Sequence, residues 1–260
     1  MLLMLFAICC GASGIGAICG IGGGVIIKPV LDAFKLADVA TISFLSGTTV
    51  LTMTTYSVIR SKLSGSSKFD LSIGTPLAIG AVFGGIFGQK VFQIALEIAP
   101  SIRLVGATQQ IFMIILTTGT LIYVLEKNKI STKKFSSKII CLAIGFFLGT
   151  ASAFLGIGGG PINLVVLYYF FSMETKTAAE NSLYIIFFSQ MASFLQTIFT
   201  DSLPNFTTTM LIFMVAGGLF GGMIGRSLNK KLNNNLVEKL FVRLMVVIIG
   251  ISFYNLNTFM

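Results

Sequence analysis

Gly20-Ile-Gly22-Gly23-Gly24 recurs 136 residues later as Gly156-Ile-Gly158-Gly159-Gly160, and both copies lie inside long apolar stretches. Consecutive glycines disfavour a continuous helix, because a residue without Cβ loses the most backbone freedom on becoming ordered. In a membrane-spanning chain, two such interruptions at corresponding positions of two halves point to broken helices meeting at a binding site. The membrane setting follows from composition. Of the 260 residues 55% are hydrophobic and only 10% charged, with a mean hydropathy of +0.93; soluble domains carry roughly 25% charged residues. Several apolar runs are long enough to cross a bilayer.

Apolar segments fall at 2–19, 24–36, 38–59, 71–92, 104–125, 139–155, 161–172, 181–199, 206–225 and 241–256. Met1 to Cys19 has no basic leader and no small-residue cleavage motif, so it is expected to stay as a helix, a signal peptide being the alternative. The net charge of +9 does not point to nucleic acid, because the basic residues gather between apolar segments, where the positive-inside rule accounts for them. Lys127, Lys129, Lys133, Lys134 and Lys138 place one link in the cytoplasm; Arg226, Lys230, Lys231, Lys239 and Arg243 place another there. Ile139 to Met173 is too long for one span at about 1.5 Å per residue. A hairpin through 139–155 and 161–172, followed by two crossings, puts both basic links on the same side, and the same logic gives a hairpin around Gly20–Gly24.

The expected fold is an all-α polytopic membrane protein of two inverted repeats, each a broken, re-entrant helical hairpin plus three transmembrane helices. The repeats are 1–126 and 139–260, joined by a basic cytoplasmic linker at 127–138, with both termini outside the cytoplasm. Ser64-Gly65-Ser66-Ser67 reads as a flexible turn. Further matches run in the same order through both halves. Ala40-Thr41-Ile42-Ser43-Phe44-Leu45 resembles Ala179-Glu180-Asn181-Ser182-Leu183-Tyr184, and Gly80 to Gly88 resembles Gly217 to Gly225.

Enzyme chemistry finds little footing. The chain has no histidine, so the Gly11-Ala12-Ser13-Gly14 run lacks the usual base of a serine nucleophile, and a histidine-held metal is excluded. There is no phosphate-binding GxxxxGK[ST] run and no fitting dinucleotide fingerprint. No cofactor and no metal are expected. Cys9, Cys10, Cys19 and Cys141 lie in apolar segments and form no CxxC pair, which suits packing.

Gly80, Gly84, Gly88, Gly217, Gly221 and Gly225 have the small-xxx-small spacing of close helix packing. Gly22, Gly23 and Gly24, and Gly158, Gly159 and Gly160, are instead read as substrate-binding breaks. Helices are expected to start near residue 24 and at Pro161, where proline suits a first turn, and helix N-termini favour anions. Asn163 follows the second break. Ser43, Asn181 and Ser182 lie in the helices after each hairpin at matching repeat positions, with helix–helix hydrogen bonding as the other use of each. Gln190 and Gln196 are weaker candidates. Lys28 reaches an anion or snorkels to the interface. No carboxylate sits mid-span, so proton coupling finds no support, though Asp38 and Glu180 stay open.

Gly20-Ile-Gly-Gly-Gly-Val-Ile-Ile-Lys-Pro29, the Ala179–Leu183 segment and the duplication resemble the TauE/SafE (sulfite exporter) family of membrane anion transporters. Pro161 and Asn163 depart from the first copy. The resemblance implies transport of sulfite, sulfonates or related sulfur-containing anions across the bacterial cytoplasmic membrane. The partners expected are a small anionic substrate and membrane lipid, not nucleic acid, with no indication of oligomeric state. A non-transporting scaffold or partner subunit, and a thiol-assisted carrier using Cys10, Cys19 or Cys141, are the competing readings.

Overall fold

The structure is a computed structural model that describes residues 1–63, 70–135 and 137–260; the turn expected at Ser64–Ser67 lies outside them. The described residues form ten α-helices and no strand: α1 (Leu2–Cys19), α2 (Gly24–Ala33), α3 (Val39–Leu63), α4 (Leu71–Ile98), α5 (Ile102–Glu126), α6 (Lys138–Leu155), α7 (Pro161–Phe171), α8 (Thr175–Phe199), α9 (Thr208–Lys231) and α10 (Asn234–Phe259). Seven of them are long and apolar enough to cross a membrane. Each apolar segment becomes one helix, but α4 runs six residues past the expected end at 92 and α8 starts six before 181.

Local chemistry sets the ends. The side chains of Asp70, Ser101 and Asn233 accept from backbone N–H groups in the first turns of α4, α5 and α10. α1 and α6 both stop on a left-handed glycine, Gly20 at φ 76° and Gly156 at φ 63°. Proline at the first position opens α7.

The closest packing joins helices from opposite halves of the chain. Gly217, Gly221 and Gly225 of α9 lie against the Phe6, Cys10 and Gly14 carbonyls of α1, in the same order, so the two helices run parallel. Gly80, Gly84 and Gly88 of α4 lie likewise against Leu142, Phe146 and Thr150 of α6. At all six positions a Cβ would overlap the facing backbone, as the packing reading of these glycines expects.

The helix pairings come in twos. α4 with α6 matches α9 with α1; α4 with α8 matches α9 with α3; α2 with α10 matches α7 with α5. Exchanging each helix for the one five places along the chain reproduces the set. The contacts also fix the register. Gly20 packs on Ala179 and Gly156 on Ser43; Gly158 packs on Val50 and Gly159 on Ile186. The pairing of α3 with α8 therefore follows the 136-residue spacing of the glycine breaks, not the spacing of the Ala40–Leu45 match. Ser46 is the counterpart of Ser182, and Ser43 that of Ala179. The sequence match failed because short apolar stretches of Ala, Ser and Leu align almost equally well in several registers.

Candidate functional site

The α1–α2 and α6–α7 turns reach past one another in the middle of the bundle. A Cβ on Gly22 would sit 3.2 Å from the Gly158 carbonyl oxygen, and one on Gly24 would overlap the Ile157 carbonyl. The two glycine-rich turns thus touch each other. Val50 of α3 and Ile186 of α8 close the sides. At Gly159 (φ 116°) the backbone itself requires glycine, whereas Gly160 is extended at φ 179°, and a Cβ there would meet only the end of the Ile157 side chain, at 3.2 Å.

The helices flanking this crossing present polar groups to it. Ser43, Ser46 and Val50 share one face of α3, and Ala179, Ser182 and Ile186 share the corresponding face of α8. The Oγ atoms of Ser13, Ser43, Ser46, Ser152 and Ser182 and the Oδ1 of Asn163 are buried without a protein partner. Unmatched buried polar groups cost about 1–3 kcal/mol each, so a cluster of them marks a place made for a ligand or water.

Two cavities take in three of these groups, Ser43 in one and Ser152 and Asn163 in the other. The larger, about 70 Å³, lies beyond the Gly156 tip and is lined by Ser43, Gln89, Gln93, Gln190 and Ser193 among others. At about 10–15 Å³ per water by this measure, it has room for roughly five waters or one small oxyanion. The Nε2 atoms of Gln93 and Gln190 and the Ser43 hydroxyl are unmatched there, giving three hydrogen-bond donors free for an anion. A second cavity of about 10 Å³ lies at the N-terminus of α7, against Gly159, Gly160, Asn163 and Ser152. It has room for about one water.

Of the residues read as binding, Ser43 therefore lies on the larger cavity and Gly159, Gly160 and Asn163 on the smaller. Gly22, Gly24 and Gly158 lie where the hairpin tips touch, and Gly23 packs back on Ser13 of α1. Ser182 is fully buried on the α8 face, and Asn181 Nδ2 donates to the Thr177 carbonyl at 2.8 Å, the helix bonding noted as its other use. Gln93 went unnoticed because the expected end of α4 at 92 left it outside the helix. Its one-turn spacing from Gln89, following on from the glycine stripe, was the available signal.

Lys28 neither reaches the cavity nor snorkels. Its side chain is 1% exposed and Nζ lies 3.3 Å from Asp32 Oδ2, one turn along α2. Gln110 Nε2 of α5 donates to the same oxygen at 2.9 Å. Asp32 is 4% exposed, so this carboxylate, placed by its sequence position near a segment end, is enclosed. Cys9, Cys19 and Cys141 are buried, Cys10 half-buried, and none lines either cavity. Among the described residues no cluster of potential metal ligands occurs.

A family model described as "Sulfite exporter TauE/SafE" matches residues 5–253. No curated protein and no solved structure matches the chain.

Proposed function

Because the chain belongs to the sulfite exporter TauE/SafE family, a family of membrane transporters for sulfite or related anions, we propose that it exports or facilitates a small sulfur-containing oxyanion, such as sulfite or an organosulfonate, across a bacterial cytoplasmic membrane. The observation that carries this reading is the cavity beyond Gly156, where three unmatched donors and no carboxylate face a space of oxyanion size. The substrate site proposed comprises Ser43, Gln93 and Gln190, with the crossed glycine tips of Gly22–Gly24 and Gly158–Gly160 as the barrier it passes. Asn163, Asn181 and Ser182 support that barrier, and Lys28 supports α2.

The two halves are taken as inverted repeats. Support comes from the helix directions: α1 runs with α9, α6 runs with α4, and the ends of α3 and α8 meet head to tail, with Ser61 Oγ donating to Glu180 Oε2 at 3.3 Å. The bundle has one basic end, where Lys127 pairs with Glu238, and that end is placed in the cytoplasm. A reporter fused after Met173 should then be cytoplasmic and one after Asp201 external. Both on the opposite sides would remove the inverted arrangement.

An inside-negative potential of 100 mV favours anion exit by about 2.3 kcal/mol per charge, enough to drive export without a coupled ion. Purified protein in sulfite-loaded liposomes should therefore release sulfite faster than empty liposomes, and faster still with the potential imposed in that direction. Release equal to that from protein-free liposomes would overturn the reading.

A further inference from the structure

The cavity beyond Gly156 has a counterpart at the basic end of the bundle, beyond the Gly20 tip. It is a space of about 20 Å³ bounded by Ala179, Glu180, Leu183, Arg226, Asn229 and Lys230. The helix exchange described above carries one lining into the other. Ser43 becomes Ala179, Phe44 becomes Glu180 and Gly47 becomes Leu183; on α4 and α9, Gln89 becomes Arg226, Phe92 becomes Asn229 and Gln93 becomes Lys230. The two spaces are one site in duplicate, at opposite ends of the path through the hairpin tips. Their chemistry differs. Amides and a hydroxyl line the first, whereas the second carries two cations and one carboxylate. Leu183 fills the volume that Gly47 leaves open, in keeping with the smaller size.

Arg226 is 8% exposed, and its Nε and Nη2 have no hydrogen-bond partner. A guanidinium with two adjacent N–H groups unmatched is shaped for the two oxygens of an oxyanion. Lys230 lies one turn further along α9, and Asn229 Nδ2 is held by the Ile18 carbonyl at 2.5 Å.

We propose that Arg226 and Lys230 form a second anion-binding station, which captures a small oxyanion at the basic end before it passes the glycine tips to the neutral station at Ser43, Gln93 and Gln190. The station rests on the anion-transport reading only for its role in the path; binding at Arg226 stands by itself. Charge at the loading end and neutral amides at the far end make the path asymmetric, with firm capture on one side and weaker holding on the other. An exporter works with that arrangement.

The test exchanges the two chemistries. Arg226→Gln gives this cavity the residue of its counterpart, Arg226→Lys keeps the charge, and Lys230→Gln removes an exposed cation without touching Arg226. Sulfite flux is measured in oriented vesicles with substrate offered from either side. Arg226→Gln should raise KM from the basic side by about tenfold or more and leave the other side's KM within about twofold, the loss expected for a charge-assisted contact. Arg226→Lys should recover part of it, and Lys230→Gln should give a smaller rise on the same side. An unchanged KM, or equal rises on both sides, overturns the station.

A binding readout separates this proposal from the transport reading. Sulfite and sulfate should raise the melting temperature of the purified wild-type protein, and of Gly159→Val, but not that of Arg226→Gln. Stabilisation that needs Arg226, in a protein without flux, would keep the station and reject transport. Flux with stabilisation indifferent to Arg226 would do the reverse.

Discussion

Gly159→Val is expected to abolish sulfite flux while leaving the protein in the membrane. The backbone at Gly159 has φ 116°, and a Cβ there would run into Ile186, which already packs against the crossed tips. A β-branched residue in that conformation costs about 1–3 kcal/mol, and overpacking adds a similar amount. Relief requires the α6–α7 tip to shift off Ile186 of α8 and press on the opposing α1–α2 tip, which jams the crossing. Gly23→Val should behave alike, since its Cβ would press on Ser13. Gly160→Ala is the contrast: its backbone is extended and its nearest neighbour is the mobile end of Ile157, so flux should stay within about twofold of wild type. Flux per molecule in liposomes, with the amount incorporated measured beside it, decides between these outcomes. Normal flux from both valine variants would remove the glycine tips from the path.

Asp32→Ala should destabilise the protein by about 3–5 kcal/mol, because it leaves the ammonium of Lys28 buried without its partner. Gln110 would lose its acceptor in the same step. Replacing both charges, Lys28→Met with Asp32→Leu, should recover most of that loss, since a buried ion pair and an apolar pair of similar volume are often close in free energy. Thermal unfolding of the single and double variants in detergent measures the coupling. A double variant as unstable as the sum of the singles would mean that the two side chains do not depend on one another.

The helices were legible because hydropathy alone marks a membrane helix, and the breaks because five glycine-rich residues in an apolar run have no other cheap use. Positive-inside charge supplied an expected orientation for the segments without any knowledge of packing. What lay beyond reach depended on distance in space. The contact of Gly22 with Gly158, the register of α3 on α8 and the cavity beyond Gly156 are set by residues far apart in the chain, and no local period encodes them. Two local signals were passed over. Lys28 and Asp32 are four apart on one helix, the spacing at which opposite charges meet. Gln89 and Gln93 have the same spacing but straddle the expected end of α4, which is where reading from sequence is weakest.

The glycine seams of α1 with α9 and α4 with α6 bear on which pieces of the molecule are able to exist alone. Each seam takes one helix from the first half of the chain and one from the second, so neither half encloses its own bare backbone stripe. Either half alone leaves its stripe without the helix from the other half that covers it. The continuous chain delivers that companion at one-to-one ratio and at fixed distance. A gene cut at 127–138 should therefore yield a working protein only when both pieces are made together.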